Sequence, residues 1–158
     1  MRPMPLRADA EHKAAAPRSI RCFVLTVSDT RTEATDTSGR AIADLLAAAG
    51  HVVAGRAIVI DEPAQVRDQV GQQLANPDVQ VIITTGGTGI TSRDSTYEAI
   101  AALLEKRLDG FGELFRVLSY EQIGAAAMMS RACAGLAKGR IIVSLPDRKT
   151  RCGSPWRN

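Results

Sequence analysis

The sequence predicts an α/β protein: a three-layer domain whose mostly parallel sheet carries helices on both faces. Three observations predict it. Short β-branched runs alternate with amphipathic stretches of helical length. The strongest runs, residues 20–27, 79–84 and 141–145, are nearly apolar throughout instead of alternating, as strands covered on both faces should be. The intervals between runs are long enough for the crossover helices that parallel neighbours require. At 158 residues, with 45% hydrophobic and 23% charged residues, the chain has the size and balance of one globular domain with a sizeable core.

The elements follow in order. Residues 1–19 lack periodicity and are expected to form a flexible extension ahead of a domain spanning 20–146. Residues 20–27 form a buried strand that ends at Ser28-Asp29. Asp36 or Ser38 caps the next helix, where Ile42, Leu45, Leu46 and Ala49 recur at helical spacing and Gly50 supplies the stop. Residues 52–60 read as a second strand. Asp61-Glu62-Pro63 opens another helix with a capping carboxylate and an early proline, and Val66, Val70 and Leu74 mark its buried face up to Asn76-Pro77. The strand at 79–84 runs straight into Thr85-Gly86-Gly87-Thr88-Gly89. A helix is expected over 95–104, a turn at Asp109-Gly110, then helix to about 123 and onward through 128, with Met128-Met129 filling core. The last strand is 141–145.

Charge excludes one class of function. The net charge is +3, but residues 1–19 carry Arg2, Arg7, Lys13 and Arg18 against Asp9 and Glu11, and residues 147–158 carry four basic residues against Asp147. The body between them is therefore slightly acidic, at −2. With only 4% aromatic residues, it lacks the basic, stacking face of a nucleic-acid binder. No run is apolar and long enough for a membrane span, and the proline- and charge-interrupted start is unlike a secretory signal. Cys22, Cys133 and Cys152 are odd in number and widely spaced, as expected of reduced thiols in a cytoplasmic protein. His12 and His51 have no metal-ligand spacing.

The chemistry concentrates at 84–94. Three glycines within 86–89 add no packing area and cost backbone entropy, so they serve unusual dihedrals or the close approach of a ligand. Exposed amides, with the hydroxyls of Thr85 and Thr88, suit a phosphate or carboxylate cradle. A glycine turn used only to reverse the chain is the plainer alternative. The pattern matches neither the dinucleotide fingerprint nor a P-loop. Asp61 and Asp94 end neighbouring segments, and parallel strands bring such ends to one rim. There they either cap helices or, beside a phosphate site, serve Mg2+, which takes one or two carboxylates plus phosphate oxygens and water. Ser28-Asp29 and Asp36-x-Ser38-Gly39 are open between loop capping and ligand contact, and Gly110-Phe111-Gly112-Glu113 between a helix start and a site.

Taken together, Leu25-Thr26-Val27-Ser28-Asp29, Asp36-Thr37-Ser38-Gly39, Thr85-Gly86-Gly87-Thr88-Gly89 with Arg93-Asp94, Gly110-Phe111-Gly112-Glu113 and Ser130-Arg131 resemble the molybdenum cofactor biosynthesis proteins of the B and Mog type. The likeness runs in order from about residue 20 to Pro146 and leans toward the B branch at 58–61 and in the threonine-rich loop. The resemblance implies a three-layer α/β fold, a homotrimer or homohexamer, and work alongside other molybdenum cofactor biosynthesis proteins. It also implies molybdopterin as substrate or ligand, a pterin bearing a dithiolene and a terminal phosphate. Active members adenylylate that phosphate with ATP and Mg2+ and release pyrophosphate before molybdenum is inserted. Carried onto the matching positions, Asp61 and Asp94 are expected to be catalytic and to hold Mg2+-ATP. Ser28, Asp29, Thr85, Gly86, Gly87, Thr88, Gly89 and Glu113 are expected to bind substrate. Two alternatives stand beside this enzyme reading: a molybdopterin-binding or assembly protein of the same pathway without turnover, and an unrelated phosphate-sugar binder using the same cradle.

Two departures from the family pattern are visible. Tyr97 stands where the family usually has proline. After Pro146 the family continues Gly-Ser and then a long helix, whereas this chain reads Asp147-Arg148-Lys149-Thr150. Back-translated with freely chosen synonymous codons, one G added after the codon of Pro146 restores Pro-Gly-Ser and an amphipathic helix start. Residues 147–158 are therefore expected to be an aberrant tail made by a reading-frame slip, in place of a helix that covers the sheet. The nucleotides around codon 146 check this.

Overall fold

The computed structural model describes residues 7–88, 90 and 94–147. In chain order the elements are α1 (Arg7–Ala15), β1 (Arg21–Val27), α2 (Thr37–Ala48), β2 (Val52–Val59), α3 (Pro63–Leu74), β3 (Val81–Thr85), α4 (Thr96–Leu103), β4 (Lys106–Arg107), α5 (Asp109–Ile123), a 3-10 helix (Gly124–Met129), β5 (Cys133–Ala137) and β6 (Arg140–Leu145). The strands form one mixed sheet in the order β2-β1-β3-β6-β5-β4. β2, β1, β3 and β6 pair in parallel, and β5 and β4 extend the sheet antiparallel.

The order dictates the layers. β1 crosses to β2 on one side and β2 crosses back to β3 on the other, so right-handed crossovers put α2 and α3 on opposite faces. Side chains alternate accordingly. Phe23, Leu25 and Val27 of β1 join Ile82, Ile142 and the α3 residues Val66, Val70 and Leu74, with Ile100 of α4, in the main core. Thr26 points the other way and donates its hydroxyl to Asp36 Oδ2 at 2.8 Å. Asp36 is the N-cap of α2: it accepts from the Gly39 amide at 3.0 Å and pairs with Arg56 at 3.0 Å. This buried carboxylate therefore fixes where α2 leaves β1.

Several expectations are corrected. Residues 7–15 form α1, a largely polar helix, where no periodic pattern was evident. The apolar stripe of α2 is not sealed: Leu45 is 71% exposed, and only Ser38 and Gly39 of the helix are buried. Asp109-Gly110 is the first turn of α5, not a break before it. Met128 and Met129 are exposed, not core, because the 3-10 helix turns them outward and buries Ala127. The last described residue of the expected tail, Asp147, accepts from Ser38 Oγ at 2.6 Å and pairs with Arg31 at 3.2 Å. Residues 148–158, with Cys152 and the rest of the expected slip, and residues 1–6 of the extension lie outside the described residues.

Candidate functional site

The carboxyl ends of β1, β2, β3 and β6 share one rim, and backbone hydrogen bonds knit the loops that leave them. The Ser28 amide donates to Val59 O at 2.9 Å and the Gly86 amide to Leu145 O at 3.0 Å. Asp29 Oδ1 accepts from the Asp61 amide at 3.0 Å, so Asp29 holds the segment that carries Asp61. Ser28 Oγ accepts from the amides of Thr30 and Arg31 at 3.2 and 3.1 Å and shapes its own loop. At the end of β3, Gly86 (φ +98°) and Gly87 (φ +66°) take the left-handed region. A Cβ on Gly86 would lie 2.2 Å from Val27 O, so the close approach of β3 to β1 here demands glycine.

Asp61 behaves otherwise than as the helix cap expected of it. Glu62 occupies the N-cap position of α3 without a side-chain cap bond. The Asp61 carboxylate, only 6% exposed, reaches across to the segment following Asp94: its Oδ1 accepts from the Ser95 amide at 3.2 Å and the Ser95 hydroxyl at 2.7 Å. Asp61 is thereby tied to the residue that follows Asp94 and precedes α4. Next to them the Thr96 amide donates to Gly87 O at 3.1 Å, while the buried Thr96 hydroxyl has no hydrogen-bond partner. A Cβ on Gly87 would lie 2.0 Å from Thr96 Oγ1 and 2.9 Å from Asp61 Oδ2, so both side chains pack directly against the main chain here and only glycine allows it. Thr85 and Thr88 are buried beside it. Gly89 lies outside the described residues.

Glu113 sits apart, on the first turns of α5, in a pocket of about 340 Å³ lined among others by Tyr97, Arg107, Arg116, Arg131 and Cys133. Arg131 ties this pocket to the glycine segment. It donates to Thr88 O at 3.4 Å and Asp94 O at 3.1 Å, and its guanidinium lies 4.9 Å from the Tyr97 ring centroid. It also pairs with Glu98, and that hydrogen bond holds the Glu98 carboxyl below its usual range. Tyr97 receives Arg107 as well, accepting at its hydroxyl at 2.7 Å, so this residue anchors two cations. Ser95 and Thr96 escaped the sequence reading, which treated them only as a helix start. The short spacing from Asp94 was the one available signal. Among the described residues no group of three His, Cys, Asp or Glu side chains is placed to hold a metal by itself.

Burial raises the thiol pKa of Cys22 and of Cys133, the latter partly opposed by Arg107. A raised value in the fold means that these thiols leave stability level below the unfolded value near 9.0 and erode it as pH climbs past that value. In a Cys152→Ser background, both remaining thiols are expected to resist an aromatic disulfide reagent at pH 8 and to react fully in urea. Rapid labelling of the native protein is the contrary result.

A wound sheet with a glycine bend and a buried carboxylate at its carboxyl rim defines a class: open α/β proteins, whose ligand sites lie beyond the carboxyl ends of the strands. Comparison narrows the class. Residues 23–153 match the family model described as a probable molybdopterin binding domain. The chain is 49% identical over 137 residues to molybdenum cofactor biosynthesis protein B of Bacillus cereus, covering 86% of this chain and 81% of that one. Against the Escherichia coli protein of the same name it is 43% identical over 138 residues, covering 87% and 81%. A crystal structure of a molybdenum cofactor biosynthesis protein B superposes with a TM-score of 0.82 at 46% identity, covering 86% of this chain and 85% of that one. The chain belongs to the molybdenum cofactor biosynthesis protein B family, and its role lies in the making of that cofactor. No described helix is long and apolar enough to cross a membrane.

Proposed function

We propose that this chain binds molybdopterin and transfers the adenylyl group of ATP to its terminal phosphate. A phosphate oxygen of molybdopterin attacks the α-phosphorus of ATP, a phosphoanhydride bond forms, and the bond to the β-phosphate oxygen breaks to release pyrophosphate. The observation that carries the reading is the arrangement at Gly87, where Asp61 and the segment following Asp94 close onto a glycine main chain at the carboxyl rim of the sheet. Phosphoryl-type transfers need positioning and charge neutralisation more than covalent help, and a rim of this kind supplies positioning.

The donors fit Mg2+ arriving with the nucleotide: they are oxygens only, and Mg2+ keeps most of its shell as water and phosphate, taking few protein ligands. Asp61 and Asp94 would hold it, and bound there it would offset the charge of the phosphates. Asp29 fixes the backbone at Asp61, and Ser95 fixes the Asp61 carboxylate. Gly86, Gly87, Thr85 and Thr88, with Gly89 by resemblance, cradle phosphate. Ser28 and Glu113 line the approach of the pterin, and Arg131 joins the two halves of the site. Incubation with molybdopterin, ATP and Mg2+ is expected to yield pyrophosphate and adenylylated molybdopterin in equal amounts. Binding of molybdopterin without pyrophosphate would instead identify a non-catalytic carrier in the same pathway.

A homo-oligomer, trimer or hexamer, is part of the proposal. The outward side of α5 and the 3-10 helix exposes Leu114, Val117, Leu118, Tyr120 and Met128, each by more than half. Large apolar side chains left this exposed along one helix and the turn after it mark an association site. The chain is expected to sediment as an oligomer, and Leu118→Glu to shift it toward smaller species with its circular dichroism intact. A wild-type monomer at micromolar concentration would remove this element.

A further inference from the structure

We propose that Arg31, Thr37 and Ser38 form an oxyanion subsite fitted to a phosphate group, and that Asp147 occupies it from within the chain. A phosphate must displace this carboxylate to enter. The inference goes beyond adenylyl transfer and does not depend on it. The segment Asp36-Thr37-Ser38-Gly39 divides its work. Asp36 does the capping: it takes the Gly39 amide, the Thr26 hydroxyl and Arg56, so its charge is matched inside the fold. Ser38, buried on the first turn of α2, is not needed for the cap and donates its hydroxyl to Asp147 Oδ1 at 2.6 Å. Arg31 converges on the same carboxylate. Its Nη1 donates to Thr35 O at 2.6 Å and Thr37 Oγ1 at 3.2 Å, while Nη2 reaches the two Asp147 oxygens at 3.4 and 3.2 Å. The Arg31 side chain is only 7% exposed, so its charge needs a partner other than solvent. Among the described residues that partner is Asp147, which arrives from 116 positions away.

The groups around the Asp147 carboxylate are those that hold a phosphate. A guanidinium and a buried hydroxyl donate to it at the positive end of a 12-residue helix. The Thr37 hydroxyl accepts from Arg31, which leaves its own proton to donate. Withdrawing Asp147 leaves two arginines, Arg31 and Arg56, against the single carboxylate of Asp36. A cation is repelled there, and an apolar group leaves a buried guanidinium unmatched. A phosphate matches it better than a carboxylate does, with three acceptor oxygens and a charge of about −1.5 to −2 near neutral pH. Guanidinium groups take it by two parallel bonds. The occupant can also leave. The Asp147 side chain keeps 15% exposure, and the pairing of β6 with β3 already ends at Leu145, so its departure costs the sheet no bond. The same Leu145 carbonyl receives the Gly86 amide, which puts the subsite and the glycine bend on one rim, joined through the end of β6. A tethered occupant competes at high effective concentration and lowers the apparent affinity for any free anion.

The test titrates inorganic phosphate calorimetrically into wild type and Asp147→Ala, with chloride holding the ionic strength constant. Asp147→Ala is expected to bind phosphate roughly tenfold more tightly, because the competing carboxylate is gone. Phosphate should also raise the melting temperature of Asp147→Ala by more than that of wild type. Adding Arg31→Met or Ser38→Ala to Asp147→Ala is expected to abolish the gain. Equal phosphate affinity in wild type and Asp147→Ala overturns the proposal and leaves the Arg31–Asp147 pair a purely structural clasp. A gain that survives Arg31→Met overturns it as well, since the phosphate then binds elsewhere. If Asp147→Ala does not fold, Asp147→Asn gives the same comparison, because it keeps an acceptor for Ser38 and removes the charge. The titrations contain no nucleotide or pterin, so a failure of the adenylyl-transfer reading leaves their outcome untouched.

Discussion

Replacing Asp61 with asparagine is expected to cut the rate of pyrophosphate release by about 10²–10³-fold, the usual scale for deleting one fixed electrostatic group from a reaction site. The amide oxygen can still accept from the Ser95 amide and hydroxyl, which hold Oδ1 at 3.2 and 2.7 Å, so the segment entering α4 stays in place. What is lost is the negative charge at a carboxylate only 6% exposed, where solvent cannot replace it. Asp61→Ala removes both bonds as well and should lower the melting temperature by several degrees, about 1 kcal/mol or more for a domain of this size. A continuous pyrophosphate assay run beside thermal melts separates the two effects. Full activity in the asparagine variant removes Asp61 from the reaction.

Gly86→Ala is expected to have the largest effect on stability, a loss of about 3–5 kcal/mol that leaves little folded protein at 37 °C. Two independent penalties combine. The backbone at φ +98° lies where a residue with a side chain is strained. The added methyl would also sit 2.2 Å from Val27 O, a main-chain atom of β1, which is paired on both sides and has no freedom to retreat. Relief requires β3 to move from β1, which would also break the bond from the Gly86 amide to Leu145 O at 3.0 Å. Urea unfolding compares this variant with Gly110→Ala, where nothing lies within 4 Å of the added Cβ and no such clash arises. Equal midpoints would contradict the account.

The inner strands β1 and β3 were legible because they are buried on both sides and so appear as nearly unbroken apolar runs. β6 is apolar enough to stand out as well, and Val66, Val70 and Leu74 mark α3 by their spacing. β5 was not legible. Its residues Cys133-Ala-Gly-Leu-Ala have little strand preference, and the strand exists because it lies between β6 and β4. Gly135 shows the dependence: a Cβ there would lie 2.3 Å from Lys106 O on β4, a constraint from a residue 29 positions earlier in the chain. The site divides in the same way. The glycines and acids declared themselves through composition, because glycines that pack nothing need another reason. The bond from Ser95 to Asp61 spans 34 positions, and the unsatisfied Thr96 hydroxyl is defined by what surrounds it in space. Neither leaves a local pattern. Met128 and Met129 misled because their hydrophobicity is used at a surface.

The sheet ends on one side in β4, two residues long, with the charged side chains of Lys106 and Arg107 exposed. So short a border offers few free amides and carbonyls to a foreign strand, and its like charges repel a second copy laid alongside. Open-ended polymerisation through that margin is thereby blocked, so growth of a cross-β stack cannot start from the β4 side of the sheet.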